Sequence, residues 1–190
     1  MKHVVITIGR EYGSGGRLIA KQLSEELGIT FYNSWLAGHV DEEAVEELIT
    51  AVARKTGFSE NFIRDSEHQR PTNSFLYDLY TAVQTPSVPD QVFIAQAKVI
   101  KEAASRESCV IVGRCADYIL KDRKDCLHAF IHADMDFRAD RIVRLYGESE
   151  NSPEKRLKDK DTKRRINYKH FTNRDWGMAQ NYHITLNSGA

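Results

Sequence analysis

Residues 4–28 read V-V-I-T-I-G-R-E-Y-G-S-G-G-R-L-I-A-K-Q-L-S-E-E-L-G. Val4 to Ile8 is an apolar, β-branched run that stops at Gly9, the pattern of a strand buried on both faces of a parallel sheet. After the loop, Leu18-Ile19, Gln22-Leu23 and Glu26-Leu27 recur at helical spacing, and Gly28 supplies a stop signal. Between strand and helix stand glycines at 9, 13, 15 and 16, flanked by Arg10 and Arg17. Glycine opens backbone geometries closed to other residues and lets main-chain N–H groups approach an anion. The helix that follows aims its positive end at the same point.

Ile29 to Tyr32 makes a second short strand, so strand, glycine-rich loop, helix and strand fall within about thirty residues, the context a phosphate loop requires. A tight turn without ligand would explain two of the glycines; all four, with both arginines, favour phosphate binding. The pattern G-x-x-x-x-G-K-[ST] of the commonest phosphate loops is not met, because this loop has no lysine.

Outward from that loop, residues 34–104 are helical in pattern, with Leu36, Val40, Ala44, Leu48 and Val52 as an apolar stripe. Thr85 to Asp90 reads as a loop and Gln91 to Ala104 as a helix. The stretch is too long for one crossover and predicts an insertion between the second and third strands that carries the second substrate. Strands are expected at Cys109–Gly113, at Leu127–His132 and at His183–Leu186, with helices over Asp136–Tyr146 and Pro153–His170. The alternation predicts a single α/β domain over residues 1–190, a doubly wound parallel sheet with ligands at the carboxyl ends of its strands.

Lys+Arg and Asp+Glu both total 27, so net charge gives no drive toward nucleic acid or a membrane surface. The distribution is uneven, with nine Lys/Arg against four Asp/Glu between Asn151 and Asp175. That run reads equally as solvated helix faces or as an anion clamp. Aromatic residues are not interleaved through it for base stacking, which disfavours nucleic acid. Three cysteines without CxxC spacing fit a reducing compartment. The first residues enter a strand-like run too short for a signal peptide, and no stretch approaches the roughly 18 apolar residues of a membrane span. The expectation is a cytoplasmic protein with no membrane partner.

Two further polar clusters fall at the strand ends facing the expected crevice. Arg114 follows a buried strand directly, with Asp117 three residues on. Its planar fork suits a phosphate or base edge, and an Arg114–Asp117 ion pair capping the helix is the alternative. Arg138, Arg141 and Arg144 share one helix side, and Lys160, Lys163, Arg164 and Arg165 lie on the next helix. Phosphoryl transfer needs positive charge on the equatorial oxygens and exclusion of water, which two such helices over a phosphate loop supply. His39, His68, His128, His132 and His170 lack metal-ligand spacing and read as surface or packed residues. Trp176 and Tyr182 read as packing for the last strand, and Cys115 as structural.

With I-T-I-G-R-E-Y-G-S-G-G-R at 6–17, C-V-I-V-G-R-C-A-D-Y-I-L at 109–120, Asp161 with Arg164, and T-N-R-D-W-G-M-A-Q-N-Y-H-I-T-L-N-S at 172–188, the chain resembles the cytidylate kinase-like family over almost its whole length. The resemblance implies a P-loop NTPase fold: a five-stranded parallel sheet flanked by helices, a helical acceptor-binding insertion (residues 34–104) and a lid (residues 146–170). It also implies ATP with Mg2+ as phosphoryl donor and a nucleoside monophosphate or other small acceptor.

Matched position by position, Gly13-Ser14-Gly15 correspond to the family's phosphate loop, and Arg114 with Asp117 fall near its acceptor-binding Gly-Arg-Asp element, with Cys115-Ala116 inserted between the two. Arg10, Gly13, Ser14, Gly15, Gly16 and Arg17 are thus expected to bind the nucleotide, and Arg114 and Asp117 the acceptor. Arg17, Arg138, Arg141 and Arg164 are the candidate catalytic residues, and no metal-ligating residue is identified. Gly16 occupies the family's lysine position and Leu18 its magnesium-binding threonine position, while Asn33 and His183 stand where relatives carry aspartate. Two functions follow: a nucleotide or small-molecule kinase, favoured by the arginine clusters, or a non-catalytic nucleotide-binding sensor on a kinase scaffold, favoured by the missing lysine and threonine.

Overall fold

The computed structural model describes residues 3–33 and 88–190. Residues 34–87, most of the predicted insertion together with His39 and His68, lie outside the described residues. Strand β1 spans Val5–Arg10 and ends two residues beyond its apolar run, because Gly9 and Arg10 continue the ladder against Phe130 and Ile131. Helix α1 spans Gly16–Leu27 and ends as its sequence predicts. Gly28 takes a left-handed φ of 62° and returns its N–H to the last turn.

Strand β2 (Thr30–Asn33) precedes α2 (Val88–Arg106) among the described residues. The latter begins within the segment expected to be loop, since Pro89 lacks only an N–H that the first helical turn leaves unbonded anyway. There follow β3 (Cys109–Val112), α3 (Ala116–Ile119), β4 (Cys126–His132), α4 (Met135–Tyr146), α5 (Pro153–Thr172), a short 3-10 turn (Ala179–Asn181) and β5 (Ile184–Asn187). Ser152 caps α5 by accepting the Lys155 N–H at 3.3 Å.

The strands form one parallel sheet in the order β2-β3-β1-β4-β5. Strand β1 is central, and the connections diverge from it to opposite sides, which puts the crevice of an open α/β sheet at its carboxyl end.

Alternate residues of β1 feed two cores. Val5 packs with Ile111, Ile100, Ala104 and Leu120 on one face; Ile6 and Ile8 pack with Ala20, Val110 and Ile131 on the other. Complete burial of these branched side chains favours the fold by roughly 1.5–3 kcal/mol each. A smaller core joins α4 to α5 through Ala139, Ile142 and Leu157, and Tyr12 from the loop after β1 packs against it. No described helix is long and apolar enough to cross a membrane.

Candidate functional site

The loop leaving β1 is shaped by glycine and anchored from several sides. Gly13 and Gly15 hold left-handed φ angles of 81° and 79°. A Cβ on Gly13 would stand 3.0 Å from the main-chain oxygen of Arg138, so the position is closed to side chains on both counts. Gly15 is the N-cap of α1 and has no side chain to cap it. The first main-chain bond of the helix runs from Ile19 N–H to Gly15 O at 3.0 Å. The amides before it have no helical acceptor and collect at the positive end of the helix, where an anion is favoured.

The loop's anchors come from four elements. Tyr12 N–H donates to Asp161 Oδ1 at 2.8 Å, and Arg138 Nη1 donates to Tyr12 O at 3.2 Å. Glu11 N–H donates to Ile131 O at 3.0 Å, while its carboxylate accepts the Ala133 N–H at 3.2 Å. From α5, Arg164 Nη1 donates to Arg10 O at 3.1 Å. Beyond β5, Ser188 Oγ lies 2.5 Å from Ser14 O and donates to it. The Ser14 hydroxyl itself turns inward, donating to Glu11 O at 2.9 Å from a buried position.

The candidate arginines divide into two groups. Arg138 is buried, bonded to Asp161 Oδ2 at 2.6 Å, with Glu11 Oε2 at 3.4 Å from its Nε as an ion-pair contact lacking hydrogen-bond geometry. Arg164 reaches the same Asp161 at 3.4 Å and lies 5.7 Å from the centre of the Tyr12 ring. Both therefore hold the loop from behind. Arg141 instead rests its guanidinium on Gly15: a Cβ there would lie 3.2 Å from its Cζ. Arg17 is half-buried in the first turn of α1. Gly16 is buried, and a Cβ on it would lie 2.6 Å from the Cβ of Arg10, while Leu18 points to solvent.

In the second cluster, Gly113, Arg114 and Cys115 take left-handed φ angles of 79°, 57° and 54° in succession. Such a geometry costs roughly 1–2 kcal/mol per non-glycine residue and turns the chain sharply at the carboxyl end of β3, beside β1. Arg114 is half-buried at that turn. Asp117 is buried, and Tyr168 Oη donates to its Oδ2 at 2.6 Å. Burial pushes the Asp117 carboxyl above the ordinary range, and the Tyr168 hydrogen bond opposes that shift.

The remaining basic residues separate by exposure: Arg144, Lys163 and Arg165 are solvated, whereas Lys160 and Arg164 are half-buried. Trp176 and Tyr182 pack on Phe130 of β4, at 5.3 and 5.0 Å between ring centres. His128 is buried with its Nδ1 2.7 Å from Thr7 Oγ1.

Sequence reasoning singled out the glycines and arginines and missed Glu11, Tyr12 and Ser188 as loop anchors. Asp161 was visible only as half of a motif with Arg164. The available signal was a carboxylate three residues before an arginine in an otherwise basic helix.

A family model described as the cytidylate kinase-like family matches residues 5–190. A solved structure of an uncharacterized protein from Eubacterium ventriosum is 27% identical with a TM-score of 0.67, covering 98% of this chain and 89% of that one. Shikimate kinase from Bacteroides thetaiotaomicron is 11% identical with a TM-score of 0.52, covering 97% and 86%, a likeness of fold alone. No curated protein matches the chain.

Proposed function

The chain belongs to the cytidylate kinase-like family, and from that premise we propose that it is an ATP-dependent phosphotransferase acting on a nucleoside monophosphate or another small acceptor. The observation that carries this reading is the left-handed Gly13–Gly15 loop opening onto the amino end of α1 at the carboxyl end of the central strand. Triphosphate oxygens would accept from the free amides there, with Arg10 and Arg17 neutralising charge.

Arg114, at the end of the neighbouring strand β3, and Asp117 behind it would hold the acceptor. Residues 146–170 would act as a lid. Arg138 and Arg164 serve as positioning residues, because they act on the loop through Asp161 and Tyr12. Excluding water and presenting fixed positive charge to the transferring group is most of what phosphoryl transfer asks of a protein.

The magnesium ion usual in this chemistry finds no serine or threonine hydroxyl facing outward in the loop. Ser14 bonds inward to Glu11 O, and Leu18 stands at the threonine position. That observation, with glycine at the lysine position, favours the second reading, a nucleotide-binding sensor without catalysis.

Incubation with ATP, magnesium and a panel of nucleoside monophosphates, beside Arg17→Ala, separates the two. Transfer to one acceptor, reduced in Arg17→Ala, supports the kinase. Triphosphate binding with no transfer to any acceptor sinks it in favour of the sensor.

A further inference from the structure

We propose that Arg141, reaching in from α4, supplies at the phosphate loop the positive charge that a lysine on the loop itself ordinarily provides. The inference rests on reading residues 9–17 as a phosphate loop, and it names the residue that compensates for the missing lysine.

Two independent observations meet here. First, the lysine position is sterically closed: a Cβ on Gly16 would stand 2.6 Å from Arg10 Cβ and 3.1 Å from Ile131 Cβ. Neither atom is the free end of a flexible side chain. The loop is built around the absence of a side chain at this position, so a cation must come from elsewhere.

Second, the guanidinium of Arg141 lies against Gly15, with Cζ, Nη2 and Nε all 3.2–3.4 Å from where its Cβ would be. Glycine at that position lets the planar group lie on the N-cap of α1. Among the described residues Arg141 makes no hydrogen bond or ion pair, in contrast to Arg138 and Arg164. An uncompensated cation resting at the positive end of a helix is electrostatically unfavourable until an anion joins it. A polyphosphate would complete the arrangement, with its oxygens shared between loop amides and the guanidinium fork.

Arg17 is a poorer substitute. It lies one residue past the lysine position, which turns its Cα about 100° around the helix axis. Guanidinium geometry also changes what is held. A lysine ammonium is a compact point charge, whereas the fork of Arg141 can bridge two oxygens of adjacent phosphates. The inferred preference is for a di- or triphosphate chain over a single phosphate.

The test is equilibrium binding of inorganic tripolyphosphate and, separately, of ATP to the full chain, measured by calorimetry for the wild type, Arg141→Gln, Arg141→Lys and Arg17→Ala. Loss of a charged hydrogen-bonding group predicts at least about tenfold weaker tripolyphosphate binding in Arg141→Gln. Arg141→Lys should recover part of the loss, and Arg17→Ala should weaken binding by less. The dependence of affinity on salt should become shallower in Arg141→Gln, a change that a purely structural role would not produce.

Thermal unfolding of Arg141→Gln is expected to match the wild type, as no ion pair is removed. Should Arg141→Gln be destabilised, Arg141→Lys carries the same comparison. Wild-type binding retained in Arg141→Gln but lost in Arg17→Ala overturns the assignment while leaving the phosphate loop intact. Absence of tripolyphosphate and ATP binding by the wild type overturns the phosphate loop and, with it, this inference.

Discussion

The Tyr12 N–H donates to Asp161 Oδ1 at 2.8 Å across 149 residues of sequence, and that bond ties the glycine-rich loop to α5. The other oxygen of Asp161 takes Arg138 at 2.6 Å, so one buried carboxylate fixes the loop and neutralises a buried guanidinium together. Asp161→Asn keeps the shape and removes the charge, so that among the described residues the longer contact to Glu11 is the remaining charge partner of Arg138, beside its bond to Tyr12 O. Breaking a buried pair by removing one partner typically costs about 3–5 kcal/mol. We expect urea unfolding of Asp161→Asn to show a loss of about 3 kcal/mol, with weaker ATP binding because the loop loses an anchor. A loss below about 1 kcal/mol would mean that Glu11 compensates.

Gly13→Ala tests the loop from within. The substitution forces a side chain into a left-handed φ of 81° and sets its Cβ 3.0 Å from Arg138 O. Conformation alone costs about 1 kcal/mol, and overpacking adds roughly 1–3 kcal/mol. Chemical denaturation should report a loss of about 2–4 kcal/mol, and ATP binding should fall with it. At Gly28, which also has a positive φ but nothing within 4 Å of a Cβ, the same substitution should cost only the conformational part.

The difference between these glycines explains how much of the molecule was legible in its sequence. The alternation of apolar runs with helical spacing was enough to place five parallel strands, because burial on both faces leaves a local signature in Val5–Ile8, Cys109–Val112 and Cys126–His132. The start of α2 was misplaced by three residues because Pro89 reads as a loop signal in sequence and yet fits a first helical turn. The loop's glycines and arginines were legible as chemistry. Their division of labour was not, since Arg138 and Arg141 lie three residues apart on one helix and look alike in sequence. Only the packing of Leu157 and Asp161 against α4 turns one inward to a carboxylate. Ser188 closes the 172–188 motif, yet nothing local marks it as an anchor, because its role depends on where β5 ends relative to Ser14.

Tyr168→Phe isolates the polar pair beneath the second cluster. Removing the hydroxyl leaves the buried Asp117 carboxylate without the hydrogen bond at 2.6 Å. Burial already raises the Asp117 pKa, and loss of that bond raises it further. An acid whose folded pKa lies above its unfolded value contributes stability at low pH that is lost as pH rises through the folded pKa. The variant should therefore be close to wild type near pH 4 and less stable by about 1–3 kcal/mol at pH 7.5. Denaturation midpoints at the two pH values give the comparison. An equal deficit at both would attribute the effect to lost packing instead.

His128 gives the opposite sign. Burial, with a smaller contribution from the stacked His183, pushes its pKa down from 6.5 to about 4. The Thr7 hydroxyl 2.7 Å from Nδ1 fits a neutral ring, to which it donates when Nδ1 carries no proton. Folding therefore excludes a proton that the unfolded chain binds. The stability tied to the neutral ring is complete above pH 6.5 and is lost as pH falls through the folded value near 4. Between pH 7 and pH 5 that loss amounts to about 2 kcal/mol. His128→Asn places an amide oxygen near the site of Nδ1 and cannot titrate, so it should keep the Thr7 contact while flattening the acid limb of the stability curve. The measurement is the denaturation midpoint at pH 7 and pH 5 for both proteins. Because Asp117 pulls the other way over part of this range, the difference between variant and wild type, rather than either curve alone, carries the result. Parallel curves would show that His128 is protonated in the folded state or that the acid limb belongs to other groups.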